Sequence, residues 1–173
     1  MRLLTCTAWY REQRPILLKG HERPLTQVRF NREGDLLYST GKDRNVCVWF
    51  SHNGERLGTY RGHNGAVWGC DINFHTSLLL TASSDLSAKL WDCETGKELY
   101  SFVHTSVVRS VAFAEGDRMM CAVTDDSFGK IPTIYIYNLA EDIKDRMSSY
   151  RIISVVVMAS FISSVSLHCL RQC

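Results

Sequence analysis

GHERPLTQVRFNREGDLLYSTGKDRNVCVW (20–49) and GHNGAVWGCDINFHTSLLLTASSDLSAKLW (62–91) are two versions of one pattern. Gly20-His21 returns as Gly62-His63, Asp43 as Asp85 and Trp49 as Trp91, each 42 residues later. Three landmarks of different chemistry at one spacing mark a repeated structural unit.

Each copy reads as four short strands. In the second copy Val67–Ile72 is a strand, Leu78–Leu80 is a fully apolar one, Ala88–Trp91 is the third and Glu98–Phe102 the fourth. An apolar run that short, bounded by turn residues, fits a strand covered on both faces. The turns are Asn73–Ser77, Ser84-Asp85 and Glu94–Lys97, each rich in residues that turn the chain. The first copy repeats this with Gln27–Phe30, Leu36–Ser39, Val46–Trp49 and Leu57–Tyr60. Asn53-Gly54 supplies a hairpin turn between its last two strands. A third copy starts at His104 and decays. Ser110–Phe113, Met119–Val123 and Ile134–Tyr137 fit its strands, Asp125 or Asp126 its turn, and Tyr137 stands where the tryptophan is expected. Ser127–Pro132 lengthens the loop before its third strand.

The repeated polar residues form a chemical set: His21, Ser39, Asp43 and Trp49 in the first copy, His63, Thr81, Asp85 and Trp91 in the second. An indole N–H only donates, so when buried it needs an acceptor. A hydroxyl accepts from it and donates onward to imidazole, and imidazole donates to carboxylate. A satisfied network of this kind rigidifies a sheet. The third copy lacks the tryptophan, so its network should be weaker. A hydroxyl, a histidine and an aspartate also suggest a catalytic triad, which needs an exposed nucleophile and an oxyanion site. Here the hydroxyl lies inside a strand and the set is duplicated at the repeat period, which argues for architecture. No catalytic residue, cofactor site or metal site is expected. His168, Cys169 and Cys173 have no established ligand spacing.

Composition agrees with a soluble, reduced, non-nucleic-acid-binding chain. Hydrophobic residues are 45% and charged residues 22% of 173, a globular balance. Residues 1–61 carry eleven Lys/Arg against six Asp/Glu, and 62–146 carry seven against twelve. The net charge is only +2, without the sustained basic stripe of a strong nucleic-acid binder. Seven cysteines without a C-x-x-C pair suit a reducing compartment. The apolar run near the N-terminus is too brief for a signal peptide. Cytoplasm is the expected location.

The segments RPILLKGHER (14–23), NREGDLLYSTGKD (31–43), NGERLGTYRGHNGAVW (53–68) and LTASSDLSAKLWDCETGKEL (80–99) resemble the WD-repeat family of subunit I of eukaryotic translation initiation factor 3. The likeness runs from Arg14 to about Arg146. A related family, the serine/threonine kinase receptor-associated WD proteins, shares GHNGAVWG (62–69) and A-K-x-W-D (88–92) but matches the first copy less well. The resemblance implies an all-β fold of WD40 β-propeller blades and a non-enzymatic, protein-binding scaffold. Its implied partners are other subunits of the factor, notably b and g. Through them it would aid recruitment of mRNA and initiator tRNA to the small ribosomal subunit. A signalling adaptor is the alternative.

The expected organisation is an N-terminal extension (1–13), a partial propeller (14–146, with repeats about 20–61, 62–103 and 104–146) and a divergent apolar tail (147–173). Three repeats leave the ring incomplete, since a propeller takes about four to eight blades. Ile16, Leu17 and Leu18 look like a strand that would complete a last blade. The tail loses every repeat landmark, as in a truncated product whose end is read from unrelated sequence. Ile152–Leu170 carries no charged side chain and is long enough to span a bilayer. Its serines and lack of an aromatic belt weigh against a membrane helix.

Overall fold

The computed structural model describes residues 15–139 and 152–155. The repeat pattern becomes three four-stranded antiparallel sheets, each a meander in chain order. The first holds β1 (Leu25–Phe30), β2 (Leu36–Gly41), β3 (Val46–Phe50) and β4 (Arg56–Tyr60). The second holds β5 (Val67–Ile72), β6 (Leu78–Ser83), β7 (Ser87–Asp92) and β8 (Glu98–Val103). The third holds β9 (Val108–Phe113), β10 (Met119–Thr124), β11 (Ile134–Asn138) and β12 (Ile152–Val155). These are all-β WD40 blades, as the repeat pattern implies.

The two clear copies fold in the same register. Leu37 pairs with Trp49 as Leu79 pairs with Trp91, and Ser39 pairs with Cys47 as Thr81 pairs with Lys89. Both inner strands carry a bulge, between Leu25 and Gln27 and between Val67 and Gly69. Both third strands carry another beside their tryptophan. A bulge adds twist and re-aims the neighbouring side chain.

The blades pack face to face, and apolar side chains fill the two gaps. Tyr38, Val46, Val48 and Tyr60 of the first blade meet Cys70, Ile72, Leu79 and Trp91 of the second. On the other side of the second blade, Leu78, Leu80, Leu90 and Phe102 meet Val108, Val111, Met120 and Tyr137 of the third. The second sheet is therefore covered on both faces, and all six residues of β6 are buried. The first sheet is covered on one. Val28 and Phe30 hold the places of Cys70 and Ile72, yet they are exposed. No sheet among the described residues lies over that face.

Two places differ from the sequence reading. Ile16–Leu18 forms no strand. A strand needs a ladder partner, and none stands beside it among the described residues. Ile16 and Leu18 instead rest against the β3–β4 turn, where a Cβ on Gly54 would collide with both side chains. The second place is β12, which pairs antiparallel with β11 from Ile134↔Val155 to Tyr137↔Ile152. It falls in 147–173, the segment whose text departs from the repeats. Isoleucine and valine there favour an extended chain without any repeat landmark. The first four residues of the uncharged span Ile152–Leu170 are thus strand, and the rest lies outside the described residues. So do Met1–Gln13, His168, Cys169 and Cys173. Among the described residues no helix is long and apolar enough to cross a membrane.

Candidate functional site

The residues that the repeat singled out converge within each of the first two blades. His63 reaches the second blade from the segment before β5, Thr81 sits in β6, Asp85 in the β6–β7 turn and Trp91 in β7. Trp91 Nε1 donates to Thr81 Oγ1 at 2.9 Å. Thr81 Oγ1 lies 2.7 Å from His63 Nε2, and His63 Nδ1 lies 2.8 Å from Asp85 Oδ2. The first blade repeats the geometry: Trp49 Nε1 to Ser39 Oγ at 2.8 Å, Ser39 Oγ to His21 Nε2 at 2.8 Å, and His21 Nδ1 to Asp43 Oδ2 at 2.8 Å. The hydroxyl is serine in one blade and threonine in the other, so the Oγ position is what the network uses.

The protons can be followed through. His63 Nδ1–H donates to the Asp85 carboxylate, which leaves Nε2 as an acceptor. The Thr81 hydroxyl then donates to Nε2 and accepts from the indole. The carboxylate also accepts from the main-chain N–H of Asn64 and Ser87 and from the Ser87 hydroxyl, at 2.9, 3.1 and 2.6 Å. Burial by itself would raise the Asp85 carboxyl. The hydrogen bonds from His63, Ser87 and Asn64 outweigh it and hold the group well below the usual carboxylate range. Asp43 has the matching main-chain donors, Glu22 N at 3.2 Å and Asn45 N at 3.3 Å.

The glycine before each histidine has a steric cause. A Cβ on Gly20 would stand 2.6 Å from Trp49 Cη2, and one on Gly62 would stand 3.0 Å from Trp91 Cη2. The indole fills the space a side chain would take, so Gly-His and Trp are two halves of one contact.

The third blade keeps the outline and loses the chemistry. Met120 pairs with Tyr137 as Leu79 pairs with Trp91, which places Ala122 where Thr81 stands. With no hydroxyl there, His104 Nε2 finds only Tyr137 Oη at 3.4 Å, and His104 Nδ1 is buried without a partner. Asp125 is engaged elsewhere, by Arg109 Nε at 2.6 Å and by Ser106 Oγ at 3.0 Å. Asp126, the other candidate for that turn, is exposed. Burial lowers the His104 pKa to about 4, so the ring is neutral near pH 7.

A second group of residues, not singled out from the sequence, joins the blades. Gln27 Oε1 accepts from Cys70 N at 2.8 Å, and Asp71 Oδ2 accepts from Phe113 N at 2.8 Å. Each ties one blade to the inner strand of the next. At the opposite end of the strands, Asn31 and Asn73 shape the turns after β1 and β5 with their side-chain carbonyls. Their amides reach across, Asn31 to Thr76 at 3.4 Å and Asn73 to Asp117 at 3.1 Å. Asn31 and Asn73 are 42 residues apart, so the period itself could have exposed them.

These hydroxyls are buried in strands and bonded to neighbouring side chains, which suits architecture. Among the described residues no cluster of histidine, cysteine or acidic side chains could hold a metal ion. The described cysteines are free thiols, and burial pushes Cys70 up to about 12 and Cys93 up to about 11.

Comparison with known proteins agrees with this geometry. Residues 13–49 and 54–92 match the family described as WD domain, G-beta repeat. The chain is 49% identical over 126 residues to eukaryotic translation initiation factor 3 subunit I of Schizosaccharomyces pombe, covering 73% of this chain and 38% of the relative. It is 46% identical over 128 residues to the protein of that description from Caenorhabditis elegans, covering 74% and 39%. The chain thus spans about two fifths of the length of these curated relatives. Among solved structures, the WD40 repeats of RRP9 align with a TM-score of 0.66 at 21% identity, over 78% of this chain and 39% of that one. That likeness concerns the fold alone.

Proposed function

This chain is a WD-repeat protein, homologous over about three quarters of its length to subunit I of eukaryotic translation initiation factor 3, and on that premise we propose that it serves as a non-enzymatic scaffold of that factor. The observation that carries the reading is the 49% identity over 126 residues, which reaches well beyond the landmarks that any such repeat shares. The fold supports it in kind. The polar residues that could do chemistry are spent inside the blades, which leaves the rims and outer edges to bind proteins. Function rests on such surfaces, not on the fold.

In this reading the partners are the b and g subunits of the factor, met in the cytoplasm. The small ribosomal subunit is engaged through them, in support of mRNA and initiator tRNA recruitment. No cofactor takes part. The test is co-purification. A tagged chain expressed in a eukaryotic lysate should bring down subunits b and g and sediment with small ribosomal subunits. Recovery of a receptor kinase in their place would favour the signalling-adaptor alternative and overturn this assignment.

A further inference from the structure

Trp68 stands apart from the tryptophans of the networks. It lies at the bulge of β5, between Val67 and Gly69. Its indole N–H is buried and has no acceptor, whereas Trp49 and Trp91 each donate to a hydroxyl. A native buried donor without a partner calls for an explanation.

Its surroundings are cationic. The Arg109 guanidinium lies 4.5 Å from the ring centroid and the Lys42 ammonium 5.6 Å. Lys42 comes from the β2–β3 turn of the first blade and Arg109 from β9 of the third, so three successive blades meet here. Arg109 is held by Asp125 at 2.6 Å. The other carboxylates of these turns are engaged too, Asp43 by His21 and Asp85 by His63. Lys42 and Arg44 are exposed and make no ion pair among the described residues. A surplus of positive charge therefore borders a donor that lacks an acceptor. Both cations over the ring are exposed side chains, so rotamer changes can open that cover.

We propose that Lys42, Trp68 and Arg109 form a docking surface for an extended acidic peptide segment. A carboxylate of that segment meets Lys42, and one of its main-chain carbonyls accepts the Trp68 N–H. Single-stranded RNA fits less well. A base would have to displace the Arg109 guanidinium, anchored by Asp125, to stack on the indole. Exposed Glu22 and Asp126 on the neighbouring segments would repel its phosphates. The proposal stands on these three blades and is independent of the assignment to initiation factor 3.

The test uses the full chain with its tryptophan indoles labelled with nitrogen-15. It is titrated with a fluorescein-labelled decapeptide of alternating glutamate and glycine, with its glutamine counterpart, and with a decauridine RNA. The Trp68 indole signal, assigned by its loss in Trp68→Phe, should move with the glutamate peptide while the Trp49 and Trp91 signals stay. Trp68→Phe should weaken binding about tenfold, as loss of one well-placed hydrogen bond does. Lys42→Gln and Arg109→Gln, at exposed positions, should each weaken it about threefold or more in low salt, with a smaller effect as salt rises. Equal binding of the glutamine peptide would overturn the proposal. So would unchanged affinity in Trp68→Phe and Lys42→Gln with the other indole signals intact, or a preference for the RNA.

Discussion

The indole of Trp91 and the imidazole of His63 share one oxygen. Trp91 Nε1 lies 2.9 Å and His63 Nε2 2.7 Å from Thr81 Oγ1, so a single hydroxyl on β6 serves side chains brought from both sides of the blade. Its removal leaves two buried polar groups unsatisfied at once. Thr81→Val keeps the shape of the side chain and should destabilise the chain by about 2–4 kcal/mol, the sum of two such orphans. Thr81→Ser retains the oxygen and should cost about 1 kcal/mol or less. Urea unfolding of the three chains at pH 7 checks the order.

The contact between Gly20 and Trp49 should be equally specific. With a Cβ on Gly20 only 2.6 Å from Trp49 Cη2, Gly20→Ala forces a buried, hydrogen-bonded indole to shift. The expected loss is about 1–3 kcal/mol, the usual scale of overpacking. Trp49→Phe removes Cη2 and with it the collision. The double variant should therefore be less destabilised than the sum of the two single ones, which a double-mutant cycle in urea would read directly.

Acid should act on the second blade through Asp85. Its carboxyl is held below the usual range in the folded chain, while the unfolded chain titrates near pH ~3.9. As pH falls toward and below that value, the unfolded state takes up the proton first and stability drops. The stability gap between the wild type and Asp85→Asn should be constant from pH 7 to about 5 and shrink between pH ~4 and 3. Urea midpoints measured at these pH values give the gap.

His104 should act at milder pH. Its folded pKa is lowered to about 4, against about 6.5 in an unfolded chain. Between these values the unfolded state binds more protons, so stability is full above the unfolded pKa and falls as pH drops through the window. The wild type should lose on the order of 2–3 kcal/mol from pH 7 to pH 4 on this account. His104→Phe should lose correspondingly less, which unfolding curves at pH 7, 5.5 and 4 would show.

What could be read from the sequence was whatever the repeat carries twice. Gly-His, Asp and Trp recur at one spacing because each holds a fixed place in the network, and the strand pattern around them follows the same rhythm. Gln27 and Asp71 were hidden for the opposite reason. Each serves a main-chain N–H of the next blade, and main-chain donors leave no trace in residue type. The third blade was half legible. Tyr137 announced a weaker network, but the loss of the hydroxyl at Ala122 and the diversion of Asp125 to Arg109 depend on pairings that only the folded register reveals. β12 was hidden because its pairing with β11 uses backbone alone and needs no landmark.

Hydrogen exchange at the indole N–H of Trp49 and Trp91 is the most direct test of the claim that these networks lock the blades. If they do, both indole protons should exchange only as slowly as the most protected main-chain amides of β6, and Thr81→Val should release Trp91 while leaving Trp49 slow. Rapid exchange of either indole in the unaltered chain, or an unchanged Trp91 rate in Thr81→Val, would contradict it.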